Sequence, residues 1–216
     1  MSQRGLFITV EGCEGVGKST AMHFLDEALK DKGVALLTTR EPGGTALGES
    51  LRNILLSPTE APIVAHAELL MMFAARAQHI EERIMPALQS GHWVLSDRFT
   101  DASFAYQGGG RQLPMQDIAM LEDLVQGDLR PDITLLLDAP VETGLERARG
   151  RGALDRFERE NFDFFERVRR AYLQRAEQGS GRYRVIDASG DLAHVQSQLG
   201  VIVDELAGCP SEFDEG

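Results

Sequence analysis

Residues 8–20 read ITVEGCEGVGKST, an apolar run that enters a glycine-rich turn and leaves through lysine, serine and threonine. The spacing Gly12-x-x-x-x-Gly17-Lys18-Ser19 is that of a P-loop, a turn that cradles phosphate. Its surroundings agree. Leu6-Phe7-Ile8-Thr9-Val10 is a short β-rich run of the kind buried in a sheet. Beyond Lys18, the apolar residues Ala21, Phe24, Leu25, Ala28 and Leu29 recur at helical spacing, with Asp26, Glu27 and Lys30 between them. Strand, turn and helix N-terminus together aim backbone N–H groups and a helix dipole at an anion. Gly12, Cys13, Glu14, Gly15, Val16, Gly17, Lys18 and Ser19 are therefore expected to hold the phosphates of a nucleotide. Lys18 would reach the β- and γ-phosphates, and the Ser19 hydroxyl would ligate magnesium.

The rest of the chain sets bounds on how that nucleotide is used. A chain of 216 residues fits one globular domain with a sizeable core. A net charge of −12 argues against a nucleic-acid groove, and an acidic chain that binds polyanions must gather its arginines locally. Cys13 and Cys209 form neither a disulfide framework nor a metal pattern, and the histidines show no ligand spacing. The longest apolar-rich stretch, AELLMMFAARA, is far short of a membrane span, and the first apolar run feeds the P-loop rather than a cleavage site. No membrane partner and a cytoplasmic location are expected. The acidic tail, residues 209–216, is expected to be disordered, leaving residues 1–208 as the domain.

Strand-like runs recur at 5–10, 34–39, 92–96, 132–138 and 182–187. Helical periodicity fills 19–32, 46–56, 66–89, 115–126, 141–149, 161–177 and 191–206. Such alternation predicts an α/β fold, a parallel sheet with helices on both faces. Near-continuous runs such as ITLLLD fit strands buried on both sides. Ligands in these sheets sit beyond the carboxyl ends of the strands, so the residues that follow each strand matter most.

Those residues are the P-loop, then Arg40-Glu41-Pro42-Gly43-Gly44, then Asp97-Arg98-Phe99, then Asp138. A carboxylate at the tip of a strand near a P-loop suits magnesium or its water, which makes Asp97 a metal candidate; the plainer alternative is an Asp97–Arg98 ion pair. Arg98 suits bidentate phosphate capture. Arg76 lies on a largely apolar helix, where an arginine is costly to bury without a partner. Gly108-Gly109-Gly110 reads either as a flexible turn or as backbone approaching a ligand. In ERARGRGALDRFE, Arg147, Arg149 and Arg151 alternate with glycines nearby, a segment able to fold over a phosphate; a solvated helix face is the alternative.

Taken together, FITVEGCEGVGKST, TREPGGT, LLMMFAARAQH, LSDRFTDASFAYQGGGR, LRPDITLLLDAPVETGLERARGRGALDRFE and FFERVRRAYL closely resemble the bacterial thymidylate kinases across nearly the whole chain. The P-loop alone is generic, whereas REPGGT with DRF and AYQGGGR is specific. The resemblance implies a three-layer P-loop kinase fold with a five-stranded parallel sheet and a short mobile lid at about 147–157. It implies transfer of the ATP γ-phosphoryl to dTMP with Mg2+, in a homodimer. No Asn-Lys-x-Asp motif of a GTP switch occurs.

Residue by residue, the resemblance implies that Gly12 to Ser19 hold the ATP phosphates and that Glu14 faces the sugar 3′-hydroxyl. Arg76 would hydrogen-bond the thymine edge, with Ser103 and Gln107 flanking the base and Tyr106 against the deoxyribose. Arg98 and Arg52 would reach the dTMP phosphate. Lys18, Arg98, Arg149 and Arg151 are the expected catalytic residues, and Phe157 and Glu158 follow the lid. Relatives often stack the base on a phenylalanine four residues before the base-reading arginine; Met72 stands there, and Phe73 is one position on, roughly 100° around the helix. Phe73 is the expected stacker and Met72 the alternative. The resemblance also implies a cis bond between Glu41 and Pro42. The helix at 66–89 is expected to carry the dimer contact, being apolar around more of its circumference than one core stripe requires.

Overall fold

A computed structural model describes residues 4–57, 62–149, 155–179 and 181–208, with the side chain of Arg149 outside that set. Five strands form one parallel sheet: β1 (Phe7–Glu11), β2 (Leu36–Arg40), β3 (Trp93–Asp97), β4 (Ile133–Asp138) and β5 (Tyr183–Asp187), in the order β2-β3-β1-β4-β5. The five-stranded α/β architecture expected from the sequence is present. Each strand begins one or two residues later than its apolar run suggests. All of β1 is buried, because helices cover both faces. Ile8 and Val10 join Leu25 and Leu29 of α1 (Lys18–Asp31) and Ile202 of α9 (Leu192–Gly208) on one side. Phe7 packs with Ile80, Ile84 and Leu88 on the other. The remaining helices are α2 (Ala46–Leu56), α3 (Ala65–His79), α4 (Met85–Gln89), α5 (Thr100–Ser103), α6 (Met115–Gln126), α7 (Val141–Arg149) and α8 (Phe162–Gln178).

The helix expected over 66–89 is three pieces. Between α3 and α4 lies a wider π-helical stretch, Ile80–Ile84. Pro86, the second residue of α4, has no N–H to continue an α-helical ladder, so the widened turn takes up the missing donor.

A second π-helical stretch, Phe104–Gly110, continues from α5. Sequence periodicity gave no sign of it, since TDASFAYQGGG has no helical apolar stripe. Its glycines lie in helical backbone packed against neighbouring side chains, not in a flexible turn. A Cβ at Gly109 would lie 2.7 Å from Ala171 Cβ, and one at Gly110 would lie 2.5 Å from the Phe164 ring, so the missing side chains let α8 press against this stretch.

The register brings the functional ends of the strands level. Asp97 pairs with Val10 of β1 on one side and Arg40 of β2 on the other. The P-loop, the Arg40–Gly44 turn and Asp97-Arg98 therefore open onto the same edge. The Glu41–Pro42 peptide bond is cis, as expected. Of the expected lid, residues 150–154 lie outside the described residues, as does the expected tail at 209–216.

Candidate active site

The P-loop turns back on itself through positive φ at Gly12, Gly15 and Gly17. A Cβ on Gly15 would lie 1.8 Å from the Gly144 carbonyl oxygen of α7, so the loop is seated on that helix as well as on the sheet. Lys18 leads α1 and folds over the loop, its Nζ donating to the carbonyls of Gly12 at 3.1 Å and Cys13 at 2.8 Å. Burial and the neighbouring Arg98 lower the Lys18 pKa, while Glu14 and Asp97 oppose that shift. Cys13 turns its thiol into the core, and burial pushes its pKa up to about 12. Its contribution to the loop is therefore backbone only.

Arg98 follows β3 with φ of 71°, a left-handed conformation uncommon for a residue with a side chain. Four acceptors surround its guanidinium. Nη1 donates to the Gly12 carbonyl at 3.1 Å and to the Tyr172 hydroxyl at 3.2 Å. Nη2 donates to Glu14 Oε1 at 2.5 Å and to the Tyr106 hydroxyl at 3.0 Å. Burial opposes the charge, but Tyr106, Glu14, Tyr172 and Asp97 outweigh it, holding the pKa well above the usual arginine range. A guanidinium is thus fixed beside the P-loop. The Asp97–Arg98 ion pair considered from the sequence is absent from the described salt bridges, and Asp97 Oδ1 is buried without a hydrogen-bond partner among the described residues.

Glu11, the last residue of β1, locks this arrangement from behind. Its Oε1 accepts from the Phe99 backbone N–H at 2.7 Å, and its Oε2 accepts from the Tyr172 hydroxyl at 2.7 Å. Burial, reinforced by the nearby Asp101, raises its pKa to about 7.

One cavity of about 250 Å³ runs from these groups to Arg76, the scale of a small-molecule site. Arg76 on α3 is buried, with Nε on Glu41 Oε2 at 2.7 Å, Nη1 on Ser103 Oγ at 3.1 Å and Nη2 on the Phe99 carbonyl at 3.1 Å. Glu41 in turn meets His79 Nδ1 at 3.0 Å, so the cis turn and α3 fix the arginine together. Tyr106 and Gln107 reach the same cavity from the π-helical stretch. Arg52 lines it from α2, its Nη1 donating to the Pro42 carbonyl at 2.9 Å.

Glu14, Gly15, Gly17, Lys18, Ser19, Arg52, Arg76, Asp97, Arg98, Ser103, Tyr106 and Gln107 all line this one cavity. Phe73 does not. It is buried with Leu69, Phe104 and Ile118, and the Arg76 guanidinium lies over its ring at 4.6 Å. Met72 lines the cavity in its place. Met72 stands four positions before Arg76 on α3, about one turn, which puts both on the same side of the helix.

Of the lid arginines, Arg147 remains on α7 and donates to the carbonyls of Ala188, Ser189 and Gly190. The Arg149 side chain and all of Arg151 lie outside the described residues. Where the chain returns, Phe157 and Glu158 line the cavity, as does Asp155, whose Oδ1 accepts from the backbone N–H groups of both. A separate cleft beside the N-terminus of α1 is walled by Gly17, Thr20, Arg147, Gly190 and Leu192.

Sequence reasoning did not single out Glu11, Glu68, Arg111, Arg156 or Tyr172. Glu11 and Glu68 were signalled weakly, as lone carboxylates inside apolar runs. The partners that make them necessary are distant in sequence.

The thymidylate kinase family profile matches residues 10–199. The chain is 57% identical over 202 residues to a thymidylate kinase of Ectopseudomonas mendocina, covering 94% of this chain and 96% of that one. It is 53% identical over 206 residues to one from Alcanivorax borkumensis, covering 95% and 99%. The crystal structure of a thymidylate kinase from Ehrlichia chaffeensis superposes with a TM-score of 0.74 at 33% identity, over 95% of this chain and 99% of that one. A P-loop, a fixed guanidinium beside it and a buried arginine across one small cavity accord with these matches, and the chain belongs to the thymidylate kinase family, whose members phosphorylate dTMP to dTDP with ATP.

Proposed function

We propose that residues 1–208 form a single kinase domain, in which the cavity between the P-loop and Arg76 is the dTMP site where the ATP γ-phosphoryl is received. One observation carries this reading: the P-loop, Arg98 and Arg52 line the same cavity as the buried Arg76, Ser103 and Gln107. A nucleoside monophosphate is the ligand that presents a phosphate at one end and a base at the other. The acceptor oxygen is already nucleophilic, so the work of the site is alignment and charge neutralisation.

In this reading the backbone of Gly12 to Ser19 and the Lys18 ammonium hold the ATP phosphates. The adenine would lie in the cleft between Arg147 and Leu192, which adjoins the same helix N-terminus. Arg98 and Arg52 bind the dTMP phosphate. That phosphate competes with Glu14 for Arg98 Nη2, which releases Glu14 toward the sugar 3′-hydroxyl. Arg76 and Gln107 read the thymine, Ser103 flanks it, Met72 takes the stacking role, and Tyr106 lies against the deoxyribose. Phe73 serves from behind as a packing surface for Arg76.

Magnesium fits Ser19 and Asp97. Both line the cavity, and Asp97 Oδ1 is a buried acceptor with no partner among the described residues. No group of three or more His, Cys, Asp or Glu able to hold a metal occurs among those residues, so the ion would complete its shell with nucleotide oxygens and water. When bound, it neutralises phosphate charge.

We also propose a cytoplasmic homodimer. No described helix is long and apolar enough to cross a membrane. Within the 66–89 segment, Leu69, Phe73, Ile80, Ile84 and Leu88 are buried in the domain and so are not available to a partner. Exposed apolar residues also stand on three neighbouring helices: Ile54 on α2, Leu70 on α3, and Met120 and Leu124 on α6. Light scattering at micromolar concentration should give twice the chain mass; a monomer mass would remove the dimer.

A coupled ADP-release assay over a panel of monophosphates tests the function. ATP turnover should require a monophosphate acceptor, with dTMP well ahead of dCMP and dGMP. A better acceptor among the other monophosphates would reassign the substrate, and turnover without any acceptor would make the chain a plain ATPase.

A further inference from the structure

Glu68 is fully buried on α3 and has no place in the phosphoryl-transfer machinery, yet four hydrogen bonds or more converge on it. Gln107 Nε2 donates to its Oε1 at 2.8 Å. Arg156 Nη2 donates to its Oε2 at 2.6 Å, and Arg111 Nη2 lies 3.2 Å from the same oxygen. A carboxylate held between two guanidinium groups accepts hydrogen bonds and cannot donate. The nitrogen end of the Gln107 carboxamide must therefore face Glu68. Its carbonyl oxygen has no partner among the described residues, and Gln107 lines the cavity.

We infer that Glu68 is a specificity-determining positioning residue: by claiming the Gln107 nitrogen, it leaves the Gln107 carbonyl as the acceptor that reads the pyrimidine. This rests on the proposal that the cavity holds the base of dTMP. Thymine and uracil carry an N–H at position 3 and a carbonyl at position 4. Gln107 Oε1 accepts from the first. Arg76, which has five N–H groups and uses three on Glu41, Ser103 and Phe99, donates to the second. Cytosine presents an acceptor at position 3 and an amino group at position 4, so both contacts become mismatched. A site built on such polar pairs rejects the wrong pattern strongly, because its own groups are left unpaired.

Glu68→Gln keeps the shape and inverts the logic. Arg156 donates to Oε2 alone, and Arg111 shares its Nε between both oxygens while its Nη2 lies nearer Oε2, so the stronger cationic demand at Oε2 would hold the new amide with its oxygen there and its nitrogen toward Gln107. Gln107 must then rotate, offering its carbonyl to residue 68 and its N–H to the base. The dTMP to dCMP ratio of kcat/KM should fall at least about tenfold, the effect of one hydrogen bond. A residue that served stability alone would lower both substrates and leave the ratio in place.

The test compares parent, Glu68→Gln, Gln107→Leu and the double variant with dTMP and dCMP. Support is a lower ratio in Glu68→Gln and no further change when that substitution is added to Gln107→Leu. If Gln107→Leu lowers the ratio and Glu68→Gln does not, the role of Glu68 is overturned while the base site stands. If Gln107→Leu leaves dTMP kinetics and the ratio unchanged, the base-site proposal itself fails. Should Glu68→Gln not fold, NMR of the dTMP-saturated parent decides. The Gln107 side-chain amide protons, assigned by their loss in Gln107→Leu, should exchange more slowly than a free glutamine amide, and exchange at the free rate would overturn the inference.

Discussion

Arg98 Nη2 and Glu14 Oε1 are 2.5 Å apart, joining the loop after β3 to the loop after β1. The contact fixes a cation beside the P-loop and does so through a backbone with positive φ, a conformation that costs on the order of 1 kcal/mol or more and persists where the surroundings enforce it. Here Glu11 supplies that enforcement by accepting the next backbone N–H, that of Phe99. Arg98→Lys keeps the charge but not the planar array that reaches Gly12, Tyr172, Glu14 and Tyr106 together. We expect kcat to fall at least about a hundredfold, near 2.7 kcal/mol. A loss below tenfold would show that charge alone suffices.

Arg76→Ala should reduce dTMP kcat/KM at least about tenfold, as expected for a charged hydrogen bond of roughly 1.5–3 kcal/mol. The ATP KM should move little. The structure adds a second consequence: Glu41 is buried and loses its arginine partner, keeping only His79 Nδ1. Stripping one member from a buried pair costs about 3–5 kcal/mol. Urea denaturation should therefore show a large loss of stability alongside the kinetic one; unchanged dTMP kinetics in the folded protein would take Arg76 out of the site.

Gly109→Ala and Gly110→Ala should each destabilise by about 1–3 kcal/mol, the usual cost of forcing atoms into a packed contact. The added methyl meets Ala171 in the first case and the Phe164 ring in the second. Because Tyr106 and Gln107 ride on the same π-helical stretch, dTMP KM should rise as well. Thermal midpoints equal to the parent's would mean that α8 yields to the new methyl.

Glu11 gives stability a pH dependence of definite sign. Its pKa is about 7 when folded, against an ordinary value of 4.5. Between these pH values the folded chain binds more protons at this site than the unfolded one, so this group's contribution to stability falls as pH rises through the window. Glu11→Gln keeps an acceptor for Phe99 and removes the titration. Chemical denaturation from pH 5 to 8 should show a flatter stability profile in the variant than in the parent. Parallel profiles would place the Glu11 pKa near its ordinary value.

Arg149→Ala and Arg151→Ala test the source of cationic charge at the transferred group. The P-loop contributes no arginine, since its variable positions are Cys13, Glu14, Gly15 and Val16. An arginine at the migrating phosphoryl is worth about 10³ or more in related transfers. At least one of the two variants should lose about a hundredfold in kcat, with a smaller change in dTMP KM. Values within a few-fold of the parent in both would make the segment a cover and not a catalyst.

The central strands β1, β3 and β4 were legible in the sequence because they are buried on both faces, which leaves uninterrupted apolar runs that need no partner to be recognised. The P-loop was legible because its chemistry is local: glycines, lysine and serine serve one anion within eight residues. The π-helical stretch at 104–110 was hidden because its conformation is imposed by α8, some sixty residues further along the chain. Glu11, Glu68 and Tyr172 were hidden for the same reason, since their partners come from other elements. The choice between Phe73 and Met72 turned on helical phase. Phe73 packs beneath Arg76 and Met72 faces the cavity, a difference of one position that composition cannot reveal.

A crystal structure of the chain with dTMP measures the central claim directly. The thymine should lie against Met72, with its 4-carbonyl within hydrogen-bond distance of the Arg76 guanidinium and its position-3 nitrogen within that distance of Gln107 Oε1. The 5′-phosphate should contact Arg98. Density for dTMP in the cleft beside Arg147, or a base turned toward Arg98 with its phosphate at Arg76, would contradict the assignment of the two ends of the cavity.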